Sequence, residues 1–142
     1  EPQQPARSKP LSSQAPGVPS GEAVVLDLSV IDRIREMEQR GAVRLLERLI
    51  DTYTTTATKL MADAERALAQ RDAVMLRHAV HTLKSSSANV GATALSQGFG
   101  AVEIHAREGR TQAAEHEWPA VRIEYERALQ ALHTLLAVEN AA

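Results

Sequence analysis

A long apolar stripe in the middle of the chain constrains its fold more than any other feature. Its apolar side chains recur at spacings of three and four residues, and they are Leu46, Leu49, Ile50, Tyr53, Ala57, Leu60, Met61, Ala64 and Leu68. This spacing is typical of a helix that buries one face along its whole length. It predicts a helix from about Val43 to Gln70 that packs in a bundle, with a charged and solvated opposite face.

Four further helical segments flank this stripe. They are predicted from Asp27 or Ser29 to Gly41, from Asp72 to Gly91, from about Ala92 to Gly109 and from about Thr111 to Ala137. The first has an apolar stripe of Leu28, Ile31, Ile34 and Met37. Pro119 lacks a backbone donor, so a kink or a fresh helix start is expected at Trp118–Pro119. Since short connections make neighbouring helices antiparallel, the chain is predicted to be an all-α, up-down four-helix bundle preceded by one short extra helix.

Composition agrees with this fold and excludes several function classes. Apolar residues make up 44% of the 142 residues and aromatic residues 3%, and the abundant alanine and leucine favour helices. A net charge of −2 gives no overall attraction to nucleic acid or acidic lipid. The lack of cysteine excludes disulfides and thiolate metal sites. No apolar run approaches the roughly 20 residues of a membrane span, so a cytoplasmic location is expected.

The first 22 residues differ in composition from the rest of the chain. They contain five of its six prolines, namely Pro2, Pro5, Pro10, Pro16 and Pro19, mixed with serine, glutamine and glycine. Such a segment cannot bury enough apolar surface to offset the entropy of ordering it. We therefore expect residues 1–22 to be a flexible linker or a tail remnant and residues 23–142 to form one domain. A linker would make this chain the C-terminal module of a larger protein.

The helix that ends at Gly91 has two unlike faces. At about 100° per residue, the face expected to lie on the core consists of Leu76, Ala79, Leu83, Ser86 and Val90. The opposite face is centred on His81 and also carries Arg77, His78, Lys84, Ser85 and Ala88. It combines an imidazole with nearby cations and with small side chains that leave the imidazole accessible.

This combination suits a histidine that carries a phosphoryl group. A neutral imidazole has a lone pair near neutral pH and is a credible nucleophile. Lys84 lies about one helical turn from His81 on the same side, where its ammonium can steady phosphoryl oxygens. Bulky side chains in place of Ser85 and Ala88 would block the approach of a partner protein. Ser86 and Ser87 are interpreted as small residues that allow tight helix packing.

The remaining histidines fit this role less well. His78 is the serious rival because it lies one turn before His81, but His81 itself occupies the place where a lysine would have to follow. His105, His116 and His133 are scattered over other helices. A metal-binding bundle would need Glu-x-x-His pairs, and the sequence has none. It also lacks a Walker-type glycine loop, so the domain is not expected to be an enzyme that draws phosphate from ATP by itself.

The segment His81-Thr82-Leu83-Lys84-Ser85-Ser86-Ser87-Ala88-Asn89-Val90-Gly91-Ala92 resembles the signature of histidine-containing phosphotransfer (HPt) domains. In that family a His-x-x-Lys-Gly core is followed by small residues, an apolar residue and a glycine. The resemblance covers residues from about 24 to 137, including Leu26-Asp27 and the later pattern of Leu95, Phe99, Val102 and Glu103. Ser85 departs from it, because the family usually has glycine at this position.

The resemblance implies a phosphorelay intermediate of two-component signalling. His81 would accept and donate the phosphoryl group on Nε2, Lys84 would be the family's conserved lysine, and Gly91 would end the helix beneath the site. The expected partners are response-regulator receiver domains, which would also supply Mg²⁺, since no intrinsic cofactor is expected. The parent protein would be a hybrid sensor histidine kinase, with a free-standing shuttle protein as the second possibility, and the isolated domain would be a monomer.

Two rival functions remain open from the sequence. An HPt-shaped bundle can dock receiver domains or other partners without carrying phosphate. The presence of His81 and Lys84 argues against that interpretation, because the loss of either would have favoured it. A generic structural bundle would make both residues chance features of its surface.

Overall fold

The computed structural model describes residues 25–141, with side chains described as far as residue 138. Within this range the chain forms five helices and no strand: α1 (Leu28–Gln39), α2 (Leu45–Gln70), α3 (Ala73–Asn89), α4 (Thr93–Arg107) and α5 (Thr111–Ala141). The predicted linker, residues 1–22, lies outside the described residues. No helix of the described part is long and apolar enough to cross a lipid bilayer.

The helices α2 to α5 close into a bundle. Helix α3 packs against α2 and α4, while α5 packs against α4 and α2. Arg71 and Asp72 connect α2 to α3, and residues 90–92 connect α3 to α4, so consecutive helices must run in opposite directions. Helix α1 packs mainly on α2. The predicted all-α bundle with a short extra helix at its front is confirmed.

Local signals in the sequence set the helix ends. Of the two candidate caps of α1, Asp27 is the N-cap, and its carboxylate accepts a hydrogen bond from the Ser29 amide at 3.0 Å. Asp72 caps α3 by accepting from the Met75 amide at 3.0 Å. Helix α2 begins two residues later than predicted, and the Glu38 carboxylate of α1 accepts from the Leu46 amide at 2.8 Å. These bonds satisfy amide donors that a helix N-terminus leaves without partners.

The core is continuous through the bundle. Its largest fully buried side chain is Phe99 of α4, which lies 6.2 Å from Trp118 of α5 between ring centroids. The predicted stripe of α1 is only half correct: Ile31 and Ile34 are buried, whereas Leu28 and Met37 are 61% and 47% exposed. Because α1 packs mainly on one helix, a narrow line of its surface is covered.

Helix α5 contradicts the prediction of a fresh start at Pro119. The helix runs from Thr111 to Ala141 with Pro119 inside it. The missing proline amide removes one intrahelical hydrogen bond, but contacts with α2 hold the helix next to it. The indole Nε1 of Trp118 donates to Glu65 at 3.0 Å, and Arg122 pairs with the same carboxylate.

Gly91 ends α3 at the place where the start of α1 is anchored. Its φ is +84°, in the left-handed region, and its carbonyl accepts a hydrogen bond from the Asp27 amide at 2.6 Å. A Cβ at this position would lie 3.0 Å from the Asp27 carbonyl oxygen. Glycine is therefore required here both by the backbone conformation and by the close approach of α1.

Gly91→Ala is expected to destabilise the bundle by about 2–3 kcal/mol, because the left-handed conformation and the close contact both oppose a side chain. Urea unfolding followed by circular dichroism measures the change. Gly109→Ala is the matched control, since Gly109 has a φ of +76° and a Cβ added to it would have no neighbour within 4 Å. It should cost about 1 kcal/mol. Equal losses in the two variants would show that the contact with Asp27 contributes nothing.

Candidate functional site

The residues predicted to surround His81 lie on the surface of α3. The side chain of His81 is 62% exposed and that of Lys84 is 37% exposed. The neighbouring residues predicted to form this face are all exposed, and they are Arg77, His78, Ser85 and Ala88. A protein partner therefore has open access to the imidazole.

A buried carboxylate from α4 organises the site beneath this surface. Glu103 is 5% exposed and lies between the two polar side chains of α3. One of its oxygens, Oε2, accepts from Nδ1 of His81 at 2.7 Å, and the other, Oε1, accepts from Nζ of Lys84 at 2.7 Å. His81, Lys84 and Glu103 thus form one hydrogen-bonded group that spans α3 and α4.

Glu103 is ionised at neutral pH. Burial by itself raises the pKa of this carboxyl, but the hydrogen bonds and positive charge of Lys84 and His81 hold the pKa below its ordinary value of 4.5. An ionised carboxylate can only accept, so Nδ1 of His81 carries a hydrogen and points at Glu103. The neutral imidazole then has its lone pair on Nε2, which makes no hydrogen bond within the described residues.

The surroundings of Lys84 fix the path of its side chain. A Cβ on Gly100 would lie 3.4 Å from Cδ of Lys84, so the glycine leaves the aliphatic stem room against α4. Ser96 of α4 donates its hydroxyl to the Lys84 carbonyl at 2.8 Å. Arg107 adds a second cation, with its guanidinium 4.0 Å from Oε2 of Glu103.

The serine row on α3 differs in one respect from the prediction. The helical projection puts Ser86 on the core face, but Ser86 is half-buried, and its hydroxyl donates to the Thr82 carbonyl at 2.9 Å. Ser87 is fully buried instead and shares a 2.8 Å hydrogen bond with the Tyr53 hydroxyl. Burial raises the pKa of Tyr53 to about 12. Ser87 therefore ties α3 to α2 directly below the site.

The other histidines lie in different settings. Nε2 of His105 in α4 lies 2.9 Å from the Glu117 carboxylate of α5. Its Nδ1 accepts a hydrogen bond from the Arg110 guanidinium at 3.1 Å. His133 lies 3.4 Å from the Thr54 hydroxyl, and His116 is exposed on α5. Among the described residues no three histidine, aspartate or glutamate side chains come together in a way that could hold a metal ion.

Glu103 is part of the sequence pattern that resembles HPt domains, but the sequence alone does not indicate what its side chain does. Its position offers a signal, because it follows Phe99 by four residues and directly follows Val102 on the buried side of α4. A lone acidic residue at such a position needs a partner to offset its desolvation. The identity of that partner depends on the register between α3 and α4, which the sequence does not supply.

The site combines an exposed histidine with a neighbouring lysine on an all-helical bundle, and a buried carboxylate holds the histidine through one ring nitrogen. This arrangement is typical of the class of histidine phosphoryl carriers. Comparison with known families agrees, since the family model of the Hpt domain matches residues 48–136. The chain belongs to the Hpt domain family. It is a histidine phosphotransfer domain, an intermediate of two-component phosphorelays.

A solved structure shares the fold. The chain is similar to histidine-containing phosphotransfer protein B (HptB) from Pseudomonas aeruginosa PAO1, with 26% sequence identity and a TM-score of 0.71. The match covers 79% of this chain and 94% of that protein. A search among curated proteins finds no match.

Proposed function

We propose that His81 receives a phosphoryl group from the phosphoaspartate of a receiver domain and passes it to a second receiver domain. The observation that carries this assignment is the 2.7 Å contact of Nδ1 with Glu103. It leaves Nε2 of an exposed ring as the nucleophilic nitrogen. Family membership supports phosphotransfer on a histidine, and among the described histidines His81 is the one next to both a buried carboxylate and a lysine.

The transfer is a displacement at phosphorus. The Nε2 lone pair forms the new N–P bond while the bond between phosphorus and the aspartyl oxygen breaks and returns a free carboxylate to the receiver. The imidazole becomes an N-phosphorylated imidazolium that keeps its hydrogen on Nδ1. Glu103 holds that hydrogen, so its negative charge offsets the positive charge that develops on the ring. In the transfer to the second receiver, an aspartate oxygen of that receiver forms a bond to phosphorus while the N–P bond breaks, and its electron pair returns to Nε2 of His81.

Mg²⁺ in this reaction comes from the receiver domain. Phosphoryl transfer depends on cations that neutralise the phosphoryl oxygens, and Mg²⁺ binds through carboxylates and water. The carboxylate that the described structure brings to His81 is Glu103, and both of its oxygens are already engaged by His81 and Lys84. This side of the interface contributes nitrogen donors, so the metal ligands must come from the partner.

The proposal extends to the setting of the reaction. Receiver domains are the partners, one of them being part of the hybrid sensor kinase to which this domain would be attached. The domain acts in the cytoplasm and as a monomer, since a single copy carries His81, Lys84 and Glu103 together.

The assignment is tested by incubating the protein with a receiver domain that carries a labelled phosphoaspartate. The expected result is transfer of label to this protein, with the label lost in acid and retained in base, as a phosphohistidine requires. Peptide mapping should place it on the segment that contains His81. Base-labile label, or label on another segment, would overturn the assignment.

Lys84→Ala is expected to slow the transfer by about tenfold, which corresponds to the loss of one charge-assisted hydrogen bond to the phosphoryl group. The bundle should remain folded, because Glu103 keeps His81 and has Arg107 nearby. Single-turnover transfer from the labelled receiver measures the rate, and circular dichroism measures the fold. Lys59→Ala is the control, since Lys59 is an exposed lysine of α2. An unchanged rate for Lys84→Ala would remove Lys84 from the mechanism.

A further inference from the structure

One serine on the His81 face differs from every other serine that the structure describes. Four of the five serines within residues 25–141 use their hydroxyl in a hydrogen bond with the protein: Ser29 with Asp27, Ser86 with Thr82, Ser87 with Tyr53 and Ser96 with Lys84. The hydroxyl of Ser85 has no such partner in the described part of the chain. It is also exposed, so the group is free to bind a ligand.

The position of Ser85 on the helix places it next to the reacting histidine. Ser85 follows His81 by four residues, and residues at this spacing are neighbours on a helix, about 5–6 Å apart between Cβ atoms. Side chains of a helix lean toward its N-terminus, which brings the hydroxymethyl group of Ser85 back over the turn that carries His81. A helical serine commonly bonds to the carbonyl four residues earlier, as Ser86 does here, but Ser85 makes no such bond.

The Ser85 hydroxyl is also available to an arriving phosphoryl group, as is the ammonium of Lys84. The ammonium of Lys84 already gives one of its three N–H donors to Glu103 at 2.7 Å, which leaves two for phosphoryl oxygens. The Ser85 hydroxyl has no contact with the described residues to lose. A hydroxyl that gives a hydrogen bond to an anionic oxygen forms one of the stronger hydrogen bonds of proteins.

We infer that the Ser85 hydroxyl donates a hydrogen bond to a phosphoryl oxygen on His81. The inference rests on the proposed phosphorylation of His81 and adds a second donor to that of Lys84. It also gives a function to the residue by which this chain departs from the His-x-x-Lys-Gly pattern. A glycine there offers no side-chain donor, so the contact belongs to this chain and not to the family pattern.

The alternative role of Ser85 is steric, and it makes an opposite prediction. If the hydroxymethyl group only crowds His81, then Ser85→Gly should relieve the crowding fully and Ser85→Ala, which keeps Cβ, should relieve it partly or not at all. If the hydroxyl is a donor, Ser85→Ala and Ser85→Gly should lose the same contact and behave alike.

The test uses the full chain phosphorylated by phosphoramidate, which needs no receiver domain. The phosphoryl group moves from the phosphoramidate nitrogen to Nε2 of His81, and ammonia leaves. Phosphorus NMR then follows the decay of the His81 phosphohistidine signal at neutral pH. A hydrogen bond from Ser85 stabilises the phosphoryl group on His81, so Ser85→Ala and Ser85→Gly should each lose the phosphohistidine about threefold faster than the wild type, the effect of one modest hydrogen bond.

The other charged groups near the phosphoryl group are the same in all variants. They are Arg77, His78 and Lys84 on α3 and Glu103 and Arg107 on α4. Ser86→Ala removes a hydroxyl that is already bonded to Thr82 and should leave the decay rate unchanged, whereas Ser85→Thr keeps a hydroxyl and should decay at the wild-type rate.

Two results would overturn the inference in distinguishable ways. If Ser85→Ala loses its phosphohistidine at the wild-type rate, Ser85 is not a donor and phosphorylation of His81 stands. If the wild-type protein gives no phosphohistidine signal that is missing from His81→Gln, the proposed function fails and the inference fails with it.

Discussion

Replacing His81 with glutamine should abolish the acid-labile label that a phosphorylated receiver transfers to this protein. The glutamine amide can still reach toward Glu103, but its nitrogen has no available lone pair, so it cannot form the N–P bond. The loss should be complete and not merely a reduced rate. Transfer is measured with the labelled receiver under the conditions used for the wild type, and a urea unfolding curve shows that the variant is folded.

His78→Gln is the matched control for this experiment. His78 lies one turn earlier on the same helix and is also exposed, but Glu103 contacts His81 and not His78. We expect this variant to retain most of the transfer rate. Label that survives His81→Gln and disappears in His78→Gln would move the acceptor to the neighbouring turn and refute the assignment.

The helices were predictable from sequence because their signals are local. The spacing of apolar residues in α2 and the caps Asp27 and Asp72 depend on a few neighbouring residues. The absence of a fresh start at Pro119 has a tertiary cause, since α5 is held to α2 through Trp118 and Glu65. The exposure of Leu28 and Met37 has a similar origin, because periodicity predicts a stripe but not how many helices cover it.

The functional site likewise has a part that local sequence predicts and a part that depends on packing between helices. His81 and Lys84 lie on one helix, and a spacing of three residues places them together whatever the rest of the chain does. The role of Glu103 depends on a contact between two helices, and so does the hydrogen bond of Tyr53 with Ser87. Interhelical register is set by packing in the whole core. A residue that acts across it can be recognised in sequence by its type and burial, but its partner cannot.

Glu103→Gln should slow phosphotransfer by about 10- to 100-fold, the range found when a carboxylate that orients a metal-binding histidine is removed. The glutamine fills nearly the same volume and can still accept from Nδ1, so the bundle should stay folded. It cannot offset the positive charge that forms on the ring, and it leaves Lys84 without its ion-pair partner. This result would make Glu103 a positioning residue whose charge matters beyond its shape. Single-turnover transfer measures the rate, and urea unfolding measures the stability.

The pH dependence of the transfer rate and a control variant test this role of Glu103 against a purely structural one. Because the pKa of Glu103 is held below 4.5, its ionised form is present throughout the neutral range. The wild type should then keep its advantage over Glu103→Gln through the neutral range, and it should lose this advantage as the pH falls through the lowered pKa. Glu117→Gln is the control, since Glu117 contacts His105 at 2.9 Å in a comparable carboxylate–histidine pair. An equal loss of rate in both variants would trace the effect to the stability of the bundle, whereas a loss confined to Glu103→Gln would place it in the transfer step.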